Sequence, residues 1–198
     1  MSAVSPLYVG HAAWVIQDGN YPDWYQGERV RFAIHLSGSI ELSKGSEPCY
    51  RHIAECSYDV IGRVLWTWQQ GRERGWIADV GGIHVYSERQ LPEGVGVGAC
   101  FQGRVNFTVD YYWYFEVLSK QVGVVPAIYD WVIEDIMMET APFIDARDPA
   151  MPNRMVRDPS KRERVSRDRT DACKDDEGRY GDYLLTCVRL PGPPAAHL

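Results

Sequence analysis

The longest run of alternating apolar and polar residues spans 101–118, and it restricts the fold more than any other feature. Successive side chains of a β-strand point to opposite faces, so apolar residues at every second position predict one long strand with a buried face. A strand of this length can form a wall common to a whole barrel or sandwich. The residues that share this face are Val105, Phe107, Val109, Tyr111, Trp113, Phe115 and Val117.

Other stretches with the same period predict further strands, joined by short turns. Gly81-Gly82 between two such stretches is typical of a two-residue hairpin loop. Residues 126–138 fit either a helix or a strand, and their β-branched and aromatic residues favour the strand. The remaining predicted strands run from Leu7 to Gln17, Arg29 to Leu42, His52 to Gln69, Trp76 to Val80, Ile83 to Glu88 and Tyr183 to Leu190.

The composition changes sharply at residue 145, and charged residues dominate from there to residue 182. Ser160 and Glu163 have the spacing of a capping box, which predicts either a short exposed helix from about Lys161 to Cys173 or an irregular segment. We therefore predict a single β domain over residues 1–198, with 145–182 as a polar excursion before the last strand.

Short strands joined by hairpins predict an all-β fold, either an antiparallel barrel or a sandwich. The segment from Tyr58 to Val64 resembles a strand of an OB-fold barrel, because Gly62 lies where such a strand coils. That resemblance implies an OB-like barrel as one form of the predicted fold.

Charge and cysteine content restrict the class of partner and the compartment. A net charge of −6 disfavours nucleic acid, whose binding depends on neutralising phosphates. The N-terminal residues lack the pattern of a signal peptide, and no stretch approaches the roughly 18 consecutive apolar residues of a membrane span. Five cysteines at irregular spacing suit a reducing compartment. We therefore expect a cytoplasmic protein that does not enter a membrane.

Three motifs that suggest a cofactor or a reaction prove incomplete. Cys49, His52 and Cys56 are zinc-ligand types, but a fourth ligand is missing nearby. The glycines of 94–98 lack the Gly-Lys-Ser/Thr that ends a phosphate-binding loop. The Gly-x-Ser-x-Gly motif of serine hydrolases does not occur. We expect no metal and no cofactor, and whether the chain is an enzyme stays open.

The hairpin suggests one polar site. A two-residue loop places Asp79 opposite His84 on adjacent strands, where a carboxylate stabilises an imidazolium or orients a neutral ring. Tyr86 follows on the same face. Asp79, His84 and Tyr86 are therefore our candidates for ligand binding or proton transfer, and the alternative is a surface charge pair that contributes a few tenths of a kcal/mol.

Aromatic residues on both faces of the predicted strands suggest a binding surface. Its candidate residues are Tyr112, Tyr114, Trp66 and Trp68. The favoured hypothesis is a non-catalytic binding module that presents this surface to a protein partner or to a second copy of itself. An alternative is a barrel that encloses a small hydrophobic ligand, as a carrier or as a cyclase- or isomerase-like enzyme. A second alternative is binding of single-stranded nucleic acid through base stacking, which the charge disfavours.

Overall fold

The computed structural model describes residues 6–45, 47–145, 155–161, 163–171 and 182–197, and most of these lie in β-strands. The strands are β1 (Leu7–His11), β2 (Arg29–Leu42), β3 (Cys49–Ala54), β4 (Ser57–Gln70), β5 (Glu73–Asp79), β6 (His84–Ser87), β7 (Cys100–Val109), β8 (Ile128–Glu139), β9 (Phe143–Asp145), β10 (Met155–Arg157), β11 (Arg164–Arg167) and β12 (Tyr183–Arg189). Two short α-helices, α1 (Ala13–Gln17) and α2 (Trp113–Glu116), and 3-10 turns at Leu118–Lys120 and Pro159–Lys161 complete the elements. None of the described helices is long and apolar enough to cross a membrane.

Ten of the described strands form one sheet that closes on itself in two rings. The first ring runs β1–β7–β2–β8–β12 and back to β1, and the second runs β2–β7–β4–β5–β6 and back to β2. Strands β2 and β7 belong to both rings. Most pairings are antiparallel, while β1–β7 and β2–β6 are parallel. The fold is therefore all-β and barrel-like, as the sequence predicts.

One continuous hydrophobic core occupies both rings. On β1, Leu7 and Val9 alternate with half-buried residues and face Cys187 and Leu185 of β12. A row of stacked rings continues across the first ring, with Trp24 on Phe32 at 5.4 Å and Phe32 on Trp131 at 5.2 Å between ring centres. Burial of such apolar side chains is the main contribution that favours the folded state.

A second, smaller cluster lies on the other face of β5 and β6. Ile77 and Tyr86, which are directly opposite each other across the two strands, are fully buried there by residues 114–128. Leu118 packs against Gly75 so closely that a side chain at position 75 would overlap it. The segment between β7 and β8 therefore forms a second layer over the sheet.

The predicted long strand is correct only in its first part. β7 ends at Val109, Tyr112 has a φ of 88°, and Trp113–Glu116 is helical. The carboxylate of Asp110 causes this change because it accepts hydrogen bonds from the backbone N–H groups of Tyr114 and Phe115. Such bonds satisfy the free donors at the start of a helix and compete with strand continuation.

The other strand predictions have mixed outcomes. Residues 126–138 do form a strand, and Val80 and Ile83 close a two-residue loop in which Gly81 and Gly82 both have positive φ. The predicted strand from Leu7 to Gln17 is wrong beyond His11, where α1 follows, and the one from His52 to Gln69 belongs to a hairpin, β3–β4, that turns at Glu55-Cys56.

Within the polar excursion, the predicted helix from Lys161 is wrong for the described residues. Residues 164–167 form β11, whose backbone pairs with residues 136–139 of β8 and so satisfies the hydrogen-bonding groups along that part of the strand. Residues 162 and 172–173 of that prediction lie outside the described residues, as do 146–154 and 174–181 of the excursion.

We expect Phe107→Ala to lower the free energy of unfolding by roughly 3–5 kcal/mol, the usual cost of emptying a buried aromatic site. The Phe107 ring is fully buried and stacks on Tyr58 with 4.4 Å between ring centres. Chemical denaturation measures the change. The control is Val122→Ala at a side chain that is 98% exposed, which should change stability by less than about 0.5 kcal/mol. A loss below about 1 kcal/mol at Phe107 would show that this face is not core.

Candidate functional site

A cleft of about 340 Å³ opens where the ends of β1, β8 and β12 meet the β3–β4 turn and β7. This volume lies at the lower end of the range for small-molecule sites. We term it the His11 cleft. Its polar lining residues are His11, Glu55, Cys56, Thr108, Glu139, Arg157, Arg164, Asp182 and Tyr183.

Ion pairs form the rim of the His11 cleft. Arg164 is directly opposite Glu139 in the β11–β8 pairing, and its Nε lies 3.7 Å from Glu139 Oε2. The Nη2 of the same guanidinium lies 2.9 Å from Glu55 Oε1 in the β3–β4 turn. Arg157 Nη2 lies 3.9 Å from Asp182 Oδ2. The rim therefore offers both positive and negative groups to a ligand.

His11 lies at the end of β1, directly opposite Tyr183, on the face that Leu7 and Val9 direct into the core. Its ring stacks on Trp24 with 4.7 Å between ring centres. Burial lowers the pKa of His11 to about 3, so the imidazole is neutral near pH 7. A neutral imidazole has one N–H donor and one acceptor nitrogen.

Neither nitrogen of His11 has a hydrogen-bond partner among the described residues. The hydroxyl of Tyr21, whose ring centre lies 6.0 Å from that of His11, likewise has none there. Leaving a buried polar group unpaired costs about 1–3 kcal/mol. The imidazole of His11 and the hydroxyl of Tyr21 can therefore form hydrogen bonds with a group that is not among the described protein residues.

Cys56 is the lining residue with the greatest intrinsic nucleophilicity, but its environment suppresses reactivity. Burial raises the pKa of its thiol, and the nearby carboxylate of Glu55 acts in the same direction. The thiolate, rather than the thiol, is the nucleophile in cysteine chemistry. Cys56 therefore favours a binding role over covalent catalysis.

Thr108 connects the cleft to a second polar cluster on the outer face of β2, β6 and β7. His35 is directly opposite Thr108, with its Nδ1 3.1 Å from Thr108 Oγ1 and its Nε2 2.9 Å from Glu88 Oε2. Burial acts to raise the pKa of Glu88, but the hydrogen bond and charge of His35 and a hydrogen bond from Tyr111 lower it to about 2. Glu88 therefore stays ionised and fixes the orientation of the His35 ring.

Asp110 lies at the centre of this second cluster. It is fully buried, and it accepts a hydrogen bond from the Tyr86 hydroxyl as well as those from the backbone of α2. Burial raises the pKa of Asp110 from its ordinary 3.8 to about 6, although these hydrogen bonds oppose the shift. The same burial, with the charge of Asp110, raises the pKa of Tyr86 and keeps its hydroxyl protonated.

The structure places the three predicted site residues in two environments. Asp79 and His84 are directly opposite each other, as predicted, but their side chains make other contacts. Asp79 Oδ1 accepts a hydrogen bond from Gly82 N at 2.7 Å, and His84 Nδ1 donates to Pro126 O at 2.7 Å. Tyr86 belongs to the buried Asp110 cluster. A role of these residues in proton transfer stays a prediction.

The structure contradicts one of the four residues of the predicted aromatic surface, and a binding role of the other three stays a prediction. Tyr114 is fully buried in the second layer, so the prediction that it lies on the surface is wrong. The strand has already ended before Tyr112, and Tyr114 lies in the helix α2, so its side chain does not point in the direction that an extended strand would give it. Tyr112 is half-buried, and Trp66 and Trp68 are half-buried against the smaller core cluster.

Metal-ligand groups and a second cleft offer less binding chemistry than the His11 cleft. Among the described residues, no group of three or more His, Cys, Asp or Glu side chains is placed to hold a metal ion. A cleft of about 270 Å³ lies beside Trp76, but its polar groups already bond to each other, as in Arg74 Nη1 to Gln90 Oε1 and Trp76 Nε1 to Arg89 O. The His11 cleft is the stronger candidate because its lining includes His11, whose ring nitrogens have no hydrogen-bond partner among the described residues.

Comparison of the chain with protein-family models, curated proteins and solved structures found no match.

Sequence reasoning missed the His11 cleft, although part of its signal is visible in the sequence. His11 occupies the apolar parity of β1, after Leu7 and Val9, and a polar residue at such a position points into the core. No sequence pattern indicated that Arg164 and Glu55 lie close together. Their proximity depends on β11 pairing with β8 next to the β3–β4 turn, which is a contact between segments far apart in sequence.

The raised pKa of Asp110 predicts a specific pH dependence. Because the folded state holds this proton more tightly than the unfolded chain, the contribution of Asp110 to stability is complete below about pH 3.8 and is lost as the pH rises to about 6. The free energy of unfolding of the parent, relative to Asp110→Asn, should therefore fall between these pH values by up to about 1.4 kcal/mol per pH unit. Denaturant titrations across this range measure the difference. A constant difference would contradict the assignment.

Proposed function

We propose that the chain is a binding protein for a small zwitterionic molecule, which occupies the His11 cleft. The observation that supports this proposal most directly is the rim, where the Arg164 guanidinium bridges Glu55 and Glu139 in a cleft of about 340 Å³. Such a volume suits a molecule about the size of an amino acid or a dipeptide.

The rim favours a ligand that carries both charges. The side chains of Arg164 and Glu139 are only 25% and 15% exposed, so removing one partner of their ion pair leaves a poorly solvated charge. A singly charged ligand displaces one partner and leaves the other unpaired. A zwitterion replaces both partners of the Arg164–Glu139 pair, with its anionic group on the guanidinium and its cationic group on the Glu139 carboxylate, while Glu55, which is 37% exposed, is solvated by water.

The packed interior of the two rings favours a ligand in the His11 cleft over a ligand enclosed inside a ring. Buried side chains such as Phe32, Trp131 and Phe107 occupy the interior of the rings. The His11 cleft lies at the edge of that core and carries charged side chains at its rim. A polar ligand at the wall is therefore better supported than the hydrophobic ligand that the sequence suggested.

Substitution of Arg164 tests the proposed site. We expect Arg164→Gln to weaken binding of a zwitterionic probe, L-threonine, by at least about 10-fold, because the charge that receives the carboxylate is lost. Heteronuclear NMR titration of the full chain, followed at the Thr108 and Arg164 amides, gives the dissociation constant. The singly charged analogues threoninol and 3-hydroxybutyrate should bind more weakly than threonine to the parent.

Arg104→Gln provides a matched control. Arg104 also pairs with a carboxylate, with its Nε 2.9 Å from Asp59 Oδ1, but it lies on the exposed face of β7 outside the cleft. Binding should be unchanged in this variant. Equal affinity for the zwitterion and both analogues, or equal losses in the two arginine variants, would contradict the proposal.

A second candidate function is self-association through an aromatic surface around Trp14. The Trp14 side chain is 49% exposed, and its ring lies 6.1 Å from that of the half-buried Tyr111, next to Tyr112. Exposed aromatic residues grouped in this way are typical of protein interfaces. This surface retains one residue, Tyr112, of the aromatic surface predicted from the sequence.

Light scattering after size-exclusion chromatography tests self-association. We expect the parent to form a dimer at about 100 μM, a concentration at which interfaces with micromolar dissociation constants are mostly occupied. Trp14→Gln should shift it to the monomer because the exposed ring is lost. Tyr25→Gln, at a side chain that is also 49% exposed, is the control and should leave the dimer intact. A monomeric parent would contradict this function.

A further inference from the structure

We propose that His11 and Tyr21 form a second part of the binding site, which takes a neutral hydrogen-bonding group of the ligand, a hydroxyl or a carboxamide. The inference rests on the proposed function for the identity of the whole ligand. It adds the chemistry of the ligand's uncharged end, which the ion pairs of the rim do not define.

The geometry supports such a site. His11 is among the residues that line the cleft, and its imidazole lies on the inward face of β1 and is 1% exposed. Tyr21 is 6% exposed, and its ring meets that of His11 edge-on. Trp24 stacks on His11 at 4.7 Å and lies 5.0 Å from Tyr21, so it holds both rings in place.

The unpaired atoms define what can bind. Within the described residues, both imidazole nitrogens and the Tyr21 hydroxyl lack hydrogen-bond partners. The neutral imidazole offers one donor and one acceptor, and a phenol offers one O–H donor and lone pairs. A hydroxyl or a carboxamide has both a donor and an acceptor and satisfies the pair. A ketone or an ether lacks the donor and leaves the acceptor nitrogen of His11 unpaired.

The charge state of the pair excludes a charged group there. Burial lowers the pKa of His11 to about 3 and raises that of Tyr21, so both side chains are uncharged near pH 7. A carboxylate or an ammonium bound at this depth would lose its hydration, and neither the His11 ring nor the Tyr21 ring carries a charge to compensate it. The charged groups of the ligand therefore belong at the rim, and its neutral group belongs at His11 and Tyr21.

Titration with two small neutral probes tests the inference in the full chain. Acetamide has both a donor and an acceptor, whereas acetone, of similar size, has only an acceptor. We expect acetamide to cause a saturable shift of the His11 ring signals in carbon–proton NMR spectra, and acetone to bind at least about 10-fold more weakly. A site with buried polar groups discriminates against a ligand that leaves them unpaired.

Two tyrosine variants show whether the Tyr21 hydroxyl itself binds the probe. Tyr21→Phe should weaken acetamide binding by about 5-fold or more, since it removes one hydrogen bond and preserves the ring. Tyr25→Phe, which removes a hydroxyl from the same loop, should leave the binding unchanged. Equal binding of acetamide and acetone, or an unaltered response in Tyr21→Phe, would overturn the inference. So would a His11 ring bonded only to water or to another protein group, with signals that do not respond to acetamide.

The response in Arg164→Gln distinguishes this inference from the proposed function. Acetamide does not need the rim charges, so it should still shift the His11 signals in that variant. If acetamide binds as expected while threonine does not bind the parent, the zwitterion proposal fails and the His11–Tyr21 site stands. If threonine binds through Arg164 but acetamide does not shift the His11 signals, the inference fails alone.

Discussion

The pairing of β2 with β7 is the interaction on which the rest of the structure depends. The two strands pair over nine positions, from Ile34 opposite Val109 to Leu42 opposite Phe101, and both strands belong to both rings. Gly38 and Gly103 permit their close approach. A side chain at Gly103 would overlap the carbonyl oxygen of Ser39, and Gly38 has a φ of 143°, which glycine adopts readily. Larger residues at these two positions would separate the strands that both rings share.

The register of this pairing also determines the polar clusters. It places His35 opposite Thr108, so that one side of Thr108 contacts the imidazole while the residue also lines the His11 cleft. A shift by one residue would turn every side chain of β7 to the opposite face. Phe107 would leave the core and Thr108 would enter it. The hydrophobic alternation that stabilises the core therefore also holds the wall of the cleft in position.

Sequence reasoning predicted the fold class because alternation is a local signal, and it failed where a buried polar group overrides that signal. The pattern of β7 continues without interruption through Tyr111, Trp113 and Phe115, yet the strand ends at Val109. The cause is the side chain of Asp110, which accepts hydrogen bonds from the backbone at the start of α2 and from the Tyr86 hydroxyl of β6. The hairpin at Gly81-Gly82 was predictable, since its geometry depends on two adjacent glycines. The cleft was not, because Arg164, Glu55 and His11 come from three distant segments.

At His11, the requirement of the core for an apolar side chain conflicts with the polar chemistry of the proposed site. Its position on β1 continues the apolar face of Leu7 and Val9, where a leucine or isoleucine would bury more apolar surface and leave no polar atom unpaired. The fold places a neutral imidazole there instead, beside a tyrosine hydroxyl that is also unpaired within the described residues. Such departures from the rules of core packing concentrate at functional sites, where a ligand supplies the missing interactions. The cost to stability therefore falls on His11 and Tyr21, and the β2–β7 core beside them follows the packing rules.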